Sequence, residues 1–321
     1  MMKIVIILLL QVAPADLERI KSEHFTVFFE RGSRNTAEIC LSAAETAYKK
    51  VEKNIGVKVN STVYIRVSRG KGTFGKDQPA PPGAIPEWAV GTAYPSRRII
   101  FIRHPEGVKI TYDDITAVVM HEYSHIALGN ALEGIDIPIW LDEGIADFVA
   151  GSRSWTASFT IGSAAITGRL FSFDSLKYWW PKSGDEAQIA YAQCANFIFY
   201  IERNYGPGAV KRLVEEIKRT GDVDKSIVSV TGKERKKIEN EWFRHVSRIY
   251  RWIPLLSGGL SLWVIASILV IIGHARKKRL NNLKIEMWDM EDRLRGLKYH
   301  EDDDSEDEDE DEETPDKPVY H

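Results

Sequence analysis

The sequence contains very little cysteine, with only Cys40 and Cys194 among its 321 residues. Two cysteines exclude a disulfide-rich scaffold and a structural zinc site closed by four thiolates. Both lie at apolar positions of helical patterns. This favours buried thiols over a disulfide, which an oxidising compartment would permit.

The sequence also lacks clustered positive charge. It has 43 basic and 46 acidic residues, and 12 of the acidic ones lie in residues 301–313. The rest of the chain is therefore basic by only nine charges, spread over about 300 residues. No basic stripe with interleaved aromatic side chains occurs in the main part of the chain, so we expect no nucleic-acid partner.

The first 15 residues follow the order of a secretory signal peptide. Met1–Lys3 is a short, positively charged start, residues 4–12 are almost all apolar, and residues 13–15 have the small-residue A-x-A arrangement. The apolar run is too short to span a bilayer. We therefore expect a signal peptide at 1–15, with a buried N-terminal strand as the alternative, and an exported domain at 16–251.

A second apolar stretch is long enough to cross a membrane. Residues 254–273 carry no charge, and 20 residues at a helical rise of about 1.5 Å span roughly 30 Å. Four basic residues follow at 276–279 and predict a cytoplasmic side at that end. We expect one lipid-contacting transmembrane helix at 252–273, with the exported domain outside the cytoplasm. A buried core helix is the alternative.

The remaining C-terminal residues are predicted to form a cytoplasmic tail. Residues 274–300 begin with the basic run and continue with apolar residues at mixed helical spacing, which predicts a juxtamembrane helix. Residues 301–321 begin with the acidic run, which repels itself and predicts disorder.

The exported domain has an α+β pattern. Three stretches rich in β-branched and aromatic residues predict strands at Phe25–Glu30, Thr62–Val67 and Arg98–Arg103. Apolar residues at helical spacing predict a helix at Thr36–Ile55, and the later part of the domain is mostly helical in pattern. The sequence thus predicts a small N-terminal β-sheet with one helix, packed on a mainly helical half.

The segment Val118–Leu128 contains an H-E-x-x-H motif, formed by His121, Glu122 and His125. Residues four apart lie on one face of a helix, so both imidazoles can bind one metal ion. Glu122 is then placed to reach a water molecule beside the ion. A catalytic zinc ion usually takes three protein ligands. The third candidate is Glu143, 18 residues after His125.

Asp147 follows Glu143 by four residues, on the same face of a second predicted helix. Histidine ligands usually donate their other N–H group to a carboxylate, which fixes the orientation of the ring. Asp147 is the candidate for this role, toward His121.

These two segments together resemble the gluzincin zinc metallopeptidases. HEYSH followed by WLDEGIADF is similar to the catalytic half of thermolysin-like and aminopeptidase N-type enzymes, and above all to the peptidase MA-like bacterial proteins. The likeness covers Val118–Gly151, with a looser match over Ala190–Gly206. It implies a zincin catalytic half and a Zn²⁺ ion held by His121, His125 and Glu143. The G-A-M-E-N segment of the aminopeptidases is absent, so an endopeptidase is favoured.

The resemblance also implies a mechanism, in which Glu122 acts as general base for a water molecule that attacks a peptide carbonyl. Tyr191 is the candidate donor to the developing oxyanion. Alternatives for this role are Tyr123, Tyr200, Tyr205 and His245.

An extended peptide or protein substrate is expected along an exposed strand edge, at Arg98–Arg103 or Trp88–Tyr94. Two other functions remain open at this point. One is a catalytically silent, membrane-anchored binding or scaffold protein that retains the metal site, and the other is a zinc hydrolase of a non-peptide amide or ester. Glu122 argues against the silent protein, because a purely structural site needs no general base.

Overall fold

The computed structural model describes the chain from Leu17 to Tyr250 with five short gaps, and parts of the region beyond. The described residues are 17–76, 78–81, 85–86, 88–104, 112–151, 155–250, 263, 266–279, 287 and 290. Contacts within the chain divide it into two units, Met1–Ile253 and Pro254–His321.

The first unit contains a five-stranded mixed sheet in the order β1-β2-β3-β5-β4. β2, β3 and β5 are parallel and form its centre, whereas β1 and β4 are antiparallel and lie at its two edges. The three predicted strands are confirmed, and β1 was not predicted because its segment, LERIK, has few apolar residues. The strands are β1 (Leu17–Lys21), β2 (Phe25–Glu30), β3 (Val63–Arg69), β4 (Gly91–Tyr94) and β5 (Ile99–His104).

One of the two predicted substrate-binding edges is wrong. β5, which covers the predicted strand Arg98–Arg103, pairs with β3 on one side and with β4 on the other, so it offers no free edge. Its consecutive buried residues Ile99–Ile102 are typical of an interior strand. The alternative stretch, Trp88–Tyr94, contains β4, and no further strand pairs with β4 among the described residues.

Helices make up the rest of this unit, as the sequence predicted. The long first helix ends at Gly56, whose φ of 73° is the left-handed conformation that glycine adopts readily. The helices are α1 (Arg34–Ile55), α2 (Gly70–Lys76), α3 (Tyr112–Ala131), α4 (Ile139–Ala150), α5 (Trp155–Ile166), α6 (Gly184–Asn204), α7 (Ala209–Thr220), α8 (Val223–Thr231) and α9 (Arg235–Tyr250).

The core lies where α1 and α3 pack together and where α4 packs on α6. The close approach of α4 and α6 depends on Gly144, because a Cβ atom there would lie 2.7 Å from Ile198 Cγ1 and 2.9 Å from the Cys194 carbonyl oxygen. Cys40 and Cys194 are both buried and free, as predicted. Burial raises the pKa of the Cys40 thiol to about 12, so this thiol stays protonated at neutral pH.

A cluster of aromatic rings connects α4, α6 and α9. Trp140 lies with its ring centroid 5.4 Å from Phe173 and 5.6 Å from Phe197, and both phenylalanines contact Trp242 at 5.5 and 5.8 Å. Trp242 is fully buried, and its indole N–H donates to Asn196 Oδ1 at 2.8 Å. The last helix of the unit is therefore part of the core.

In the second unit, residues 266–279 are helical, and large apolar side chains on this helix are exposed. A search of the described residues finds no helix with the length and apolar character needed to cross a membrane. Residues 252–262 of the predicted transmembrane helix lie outside the described residues. The predicted signal peptide 1–15 and the acidic tail 301–321 also lie outside them.

Candidate metal centre and active site

The first two turns of α4 face the middle of α3, and this brings three predicted ligand residues together. His121 and His125 lie one turn apart on α3, and Glu143 lies on α4. The two Nε2 atoms are 3.1 Å apart, and Glu143 Oε2 is 3.2 Å from Nε2 of His121 and 3.5 Å from Nε2 of His125. Two imidazole nitrogens and one carboxylate oxygen therefore converge on one point.

This donor set fits a divalent cation. Tetrahedral zinc with bonds of about 2.0–2.1 Å keeps its ligand atoms roughly 3.4 Å apart, close to the three distances here. Glu143 Oε2 is buried and has no hydrogen-bond partner among the described residues, and a buried carboxylate oxygen normally has one. His121, His125 and Glu143 also form the group of metal-ligating side chains found in the described part of the chain.

Asp147 lies where the sequence predicted. His121 Nδ1 is 2.9 Å from Asp147 Oδ1, so this nitrogen can donate to the carboxylate and leave Nε2 facing the other two ligand atoms. Burial lowers the pKa of His121, but the charge of Asp147, the hydrogen bond to Asp147 and the closeness of Glu143 outweigh burial and raise the pKa to about 10. The carboxylates therefore attract positive charge to this ring.

Asp142 is a residue that the sequence reasoning missed. Its Oδ2 lies 3.0 Å from His125 Nδ1, although the two atoms lack hydrogen-bond geometry. Burial works against a proton on His125, yet Asp142 and then Glu143 raise its pKa well above the ordinary value. A signal for Asp142 existed, because a second histidine ligand calls for a second carboxylate.

Glu122 lies between α3 and the edge strand β4. Its side chain is buried, and burial raises the pKa of its carboxyl, against the opposing effect of His121 and His125. A Cβ atom built on Gly91 would lie only 2.6 Å from Glu122 Oε1 and 2.7 Å from Val118 Cγ1. The absence of a side chain at Gly91 is therefore what allows β4 to pass directly over this carboxylate.

A cleft of about 700 Å³ is lined by all six of these polar residues. Residues Gly91–Ala93 of β4, Tyr191 and the segment Trp180–Lys182 are among the other lining residues. The edge strand, the ligand atoms and Glu122 thus share one open space.

Tyr191 also lines this cleft, as predicted. Its ring centroid is 5.9 Å from that of His121 and 4.9 Å from that of Trp180. Burial, followed by the charges of Glu143 and Glu122, raises the pKa of Tyr191 well above its ordinary range. The phenol therefore keeps its proton and can act as a hydrogen-bond donor.

The alternatives to Tyr191 lie elsewhere. Tyr123 is fully buried in the core, with its ring centroid 5.2 Å from that of Phe25. Tyr200 and His245 pack against each other at 5.3 Å. The remaining candidate, Tyr205, lies under the ammonium group of Lys233.

Three further residues line the cleft. Trp88 begins one of the two stretches predicted to bind the substrate, whereas Trp180 and Lys182 were not among the predicted site residues. The Trp88 indole N–H points to the Lys182 carbonyl oxygen at 3.5 Å. These residues come from two loops 94 positions apart, and no local pattern indicates that they meet.

No curated protein sequence matches the chain. Among solved structures, the Legionella pneumophila aminopeptidase A in complex with aspartic acid aligns with 71% of this chain at 14% identity and a TM-score of 0.43. This chain spans 28% of the length of that protein.

The family model of the Peptidase MA superfamily matches residues 43–248. This range is more than half of the chain and includes α3, α4 and α6, which carry the cleft residues. The resemblance inferred from HEYSH and WLDEGIADF is thereby confirmed, and the chain belongs to the Peptidase MA superfamily.

Proposed function

We propose that this protein is a zinc-dependent metallopeptidase of the gluzincin type. The observation that carries the proposal is the convergence of His121 Nε2, His125 Nε2 and Glu143 Oε2 within 3.5 Å of one another beside a buried glutamate. Membership of a peptidase superfamily supports hydrolysis of a peptide bond. Zinc is the metal proposed because two imidazoles and one carboxylate are a typical donor set of catalytic zinc.

The bound ion would polarise the peptide carbonyl and make a water molecule acidic enough to attack it near neutral pH. Glu122 accepts the proton of the attacking water and passes it to the leaving nitrogen. Tyr191 donates its O–H to the carbonyl oxygen as negative charge develops there. Asp147 holds the His121 ring in the orientation that points Nε2 into the cleft.

Binding of an extended peptide is assigned to β4. Its outer edge is not paired with another strand in the described part of the chain, and the strand borders the cleft. A substrate that adds to this edge as another strand would pass next to Glu122. We further propose endopeptidase activity, which the absence of a G-A-M-E-N segment supports.

We also propose that the peptidase unit is exported and anchored to the cell membrane by one helix. The support is the order of residues in 1–15 and the uncharged run 254–273 with its basic flank. Protease protection of the full chain in spheroplasts tests this topology. Degradation of the peptidase unit from outside supports the proposal, and complete protection contradicts it.

The activity is tested with the full chain by measuring zinc content and cleavage of casein. Glu122→Gln removes the general base but none of the proposed ligands. It is expected to keep stoichiometric zinc and to lose at least about 100-fold in kcat. Glu133→Gln, at an exposed position on the loop after α3, is the matched control and should retain activity.

The outcomes separate the parts of the proposal. Zinc in both variants with activity lost only in Glu122→Gln is the expected result. Stoichiometric zinc without cleavage of any peptide would contradict the peptidase activity while leaving the metal site intact. A protein that binds no zinc would contradict the metal centre itself.

A further inference from the structure

Lys182 is an unusual member of the cleft. Four carboxylates line the cleft, those of Glu122, Asp142, Glu143 and Asp147. Lys182 is the one lysine or arginine among the described residues that line it. No ion pair involves its ammonium group in the described part of the chain, and the side chain is exposed. A positive charge is thus present in the cleft, and no carboxylate among the described residues pairs with it.

The position of Lys182 relative to the ligands follows from a series of aromatic contacts. His121 is 5.9 Å from Tyr191, and Tyr191 is 6.3 Å from Trp88, measured between ring centroids. The Trp88 indole N–H reaches the carbonyl oxygen of Lys182 itself. The main chain of Lys182 is therefore linked to His121 through Trp88 and Tyr191, and all four residues line the same cleft.

The walls beside Lys182 suit an aliphatic stem. Trp88 and Trp180 both pack against Tyr191 edge to face, at 6.3 and 4.9 Å, and all three rings line the same cleft as the lysine. A side chain with methylene groups and a terminal carboxylate would pack its stem on these rings and pair its charge with the ammonium. The free carboxylate at a peptide's C-terminus has the same charge.

The geometry points to Lys182 as a specificity-determining residue that selects substrates with a carboxylate close to the cleaved bond. This inference rests on the proposed peptidase function and names the substrate class for the same cleft. The carboxylate has two sources, an acidic side chain and the peptide's own C-terminus, and the experiment distinguishes them.

The test uses the full-length protein and internally quenched peptides of one sequence. One series places a single Glu at successive positions around the cleaved bond, each with a Gln counterpart. A second series compares the free C-terminal acid with the amide. We expect the best acidic peptide to be cleaved with kcat/KM about tenfold above its neutral counterpart, as one charge-assisted hydrogen bond provides.

Variants assign this preference to Lys182. In Lys182→Met, the ratio of kcat/KM between the Glu and Gln peptides should fall to about one. In Lys182→Glu, this ratio should fall below one, and a peptide with Lys at the same position should be preferred. Lys177→Met is the matched control, because it removes a charge from the same segment but not from the cleft, and it should keep the parent's ratio.

Binding measurements distinguish failure of this inference from failure of the proposed function. The Kd of each Glu and Gln peptide is measured by tryptophan fluorescence in the Glu122→Gln protein, which does not turn the peptides over. The Glu peptide should bind more tightly than the Gln peptide when Lys182 is present, and equally when Lys182→Met is added. A parent that cleaves the Glu and Gln peptides equally, or a preference that survives in Lys182→Met, would overturn the inference alone. Absence of both cleavage and binding would overturn both proposals.

Discussion

At the scale of single residues, the two histidine ligands are held by different carboxylates. Asp147 is hydrogen-bonded to His121 and its side chain is 15% exposed, whereas Asp142 is 34% exposed and lacks hydrogen-bond geometry to His125. A buried, hydrogen-bonded carboxylate orients a ring more strictly than an exposed one. The two residues are therefore expected to contribute unequally to metal binding.

We predict that Asp147→Asn weakens zinc affinity by about 10- to 100-fold and that Asp142→Asn weakens it less. Both substitutions keep the size of the side chain and remove its charge, so each is the control for the other. Competition with a chelator of known affinity at fixed pH measures the difference. An equal or larger loss in Asp142→Asn would contradict the assignment of Asp147 as the main orienting group.

At the scale of elements, the site depends on how closely β4 approaches α3. We predict that Gly91→Ala lowers kcat at least about tenfold while zinc content stays unchanged, because the new methyl group would displace the Glu122 carboxylate and not the ligands. Gly184→Ala is the control, since a Cβ atom there meets nothing within 4 Å. Unchanged kcat in Gly91→Ala would mean that the carboxylate does not need its present position.

The sequence predicted the site residues wherever the spacing within one helix was sufficient to place them. The motif on α3 and the pair Glu143 and Asp147 on α4 each follow helical spacing, so their convergence could be predicted. The order of the strands could not be predicted, because the β-branched and aromatic content of β5 indicates a strand but not which strands flank it. Trp88 and Lys182 meet only through the tertiary fold, so no local pattern could predict their contact.

At the scale of the whole molecule, the aromatic cluster makes the last helix a structural part of the catalytic unit. We predict that Trp242→Ala destabilises the unit by about 3–5 kcal/mol, which corresponds to a fall in Tm of about 10 °C. Trp179→Ala is the matched control, because Trp179 is 49% exposed and should change Tm little. Thermal unfolding at a constant zinc concentration measures both, and equal shifts would contradict a core role for Trp242.

The buried position of Trp242 also decides where the chain can be cut. A protease that cleaves within Arg235–Tyr250 would remove part of the aromatic cluster and the support it gives to α4. The arrangement of the proposed metal ligands would then be disturbed. A cut after Tyr250 would leave every element of the first unit in place. Limited proteolysis is thus expected to leave the first unit folded only when it cuts beyond α9.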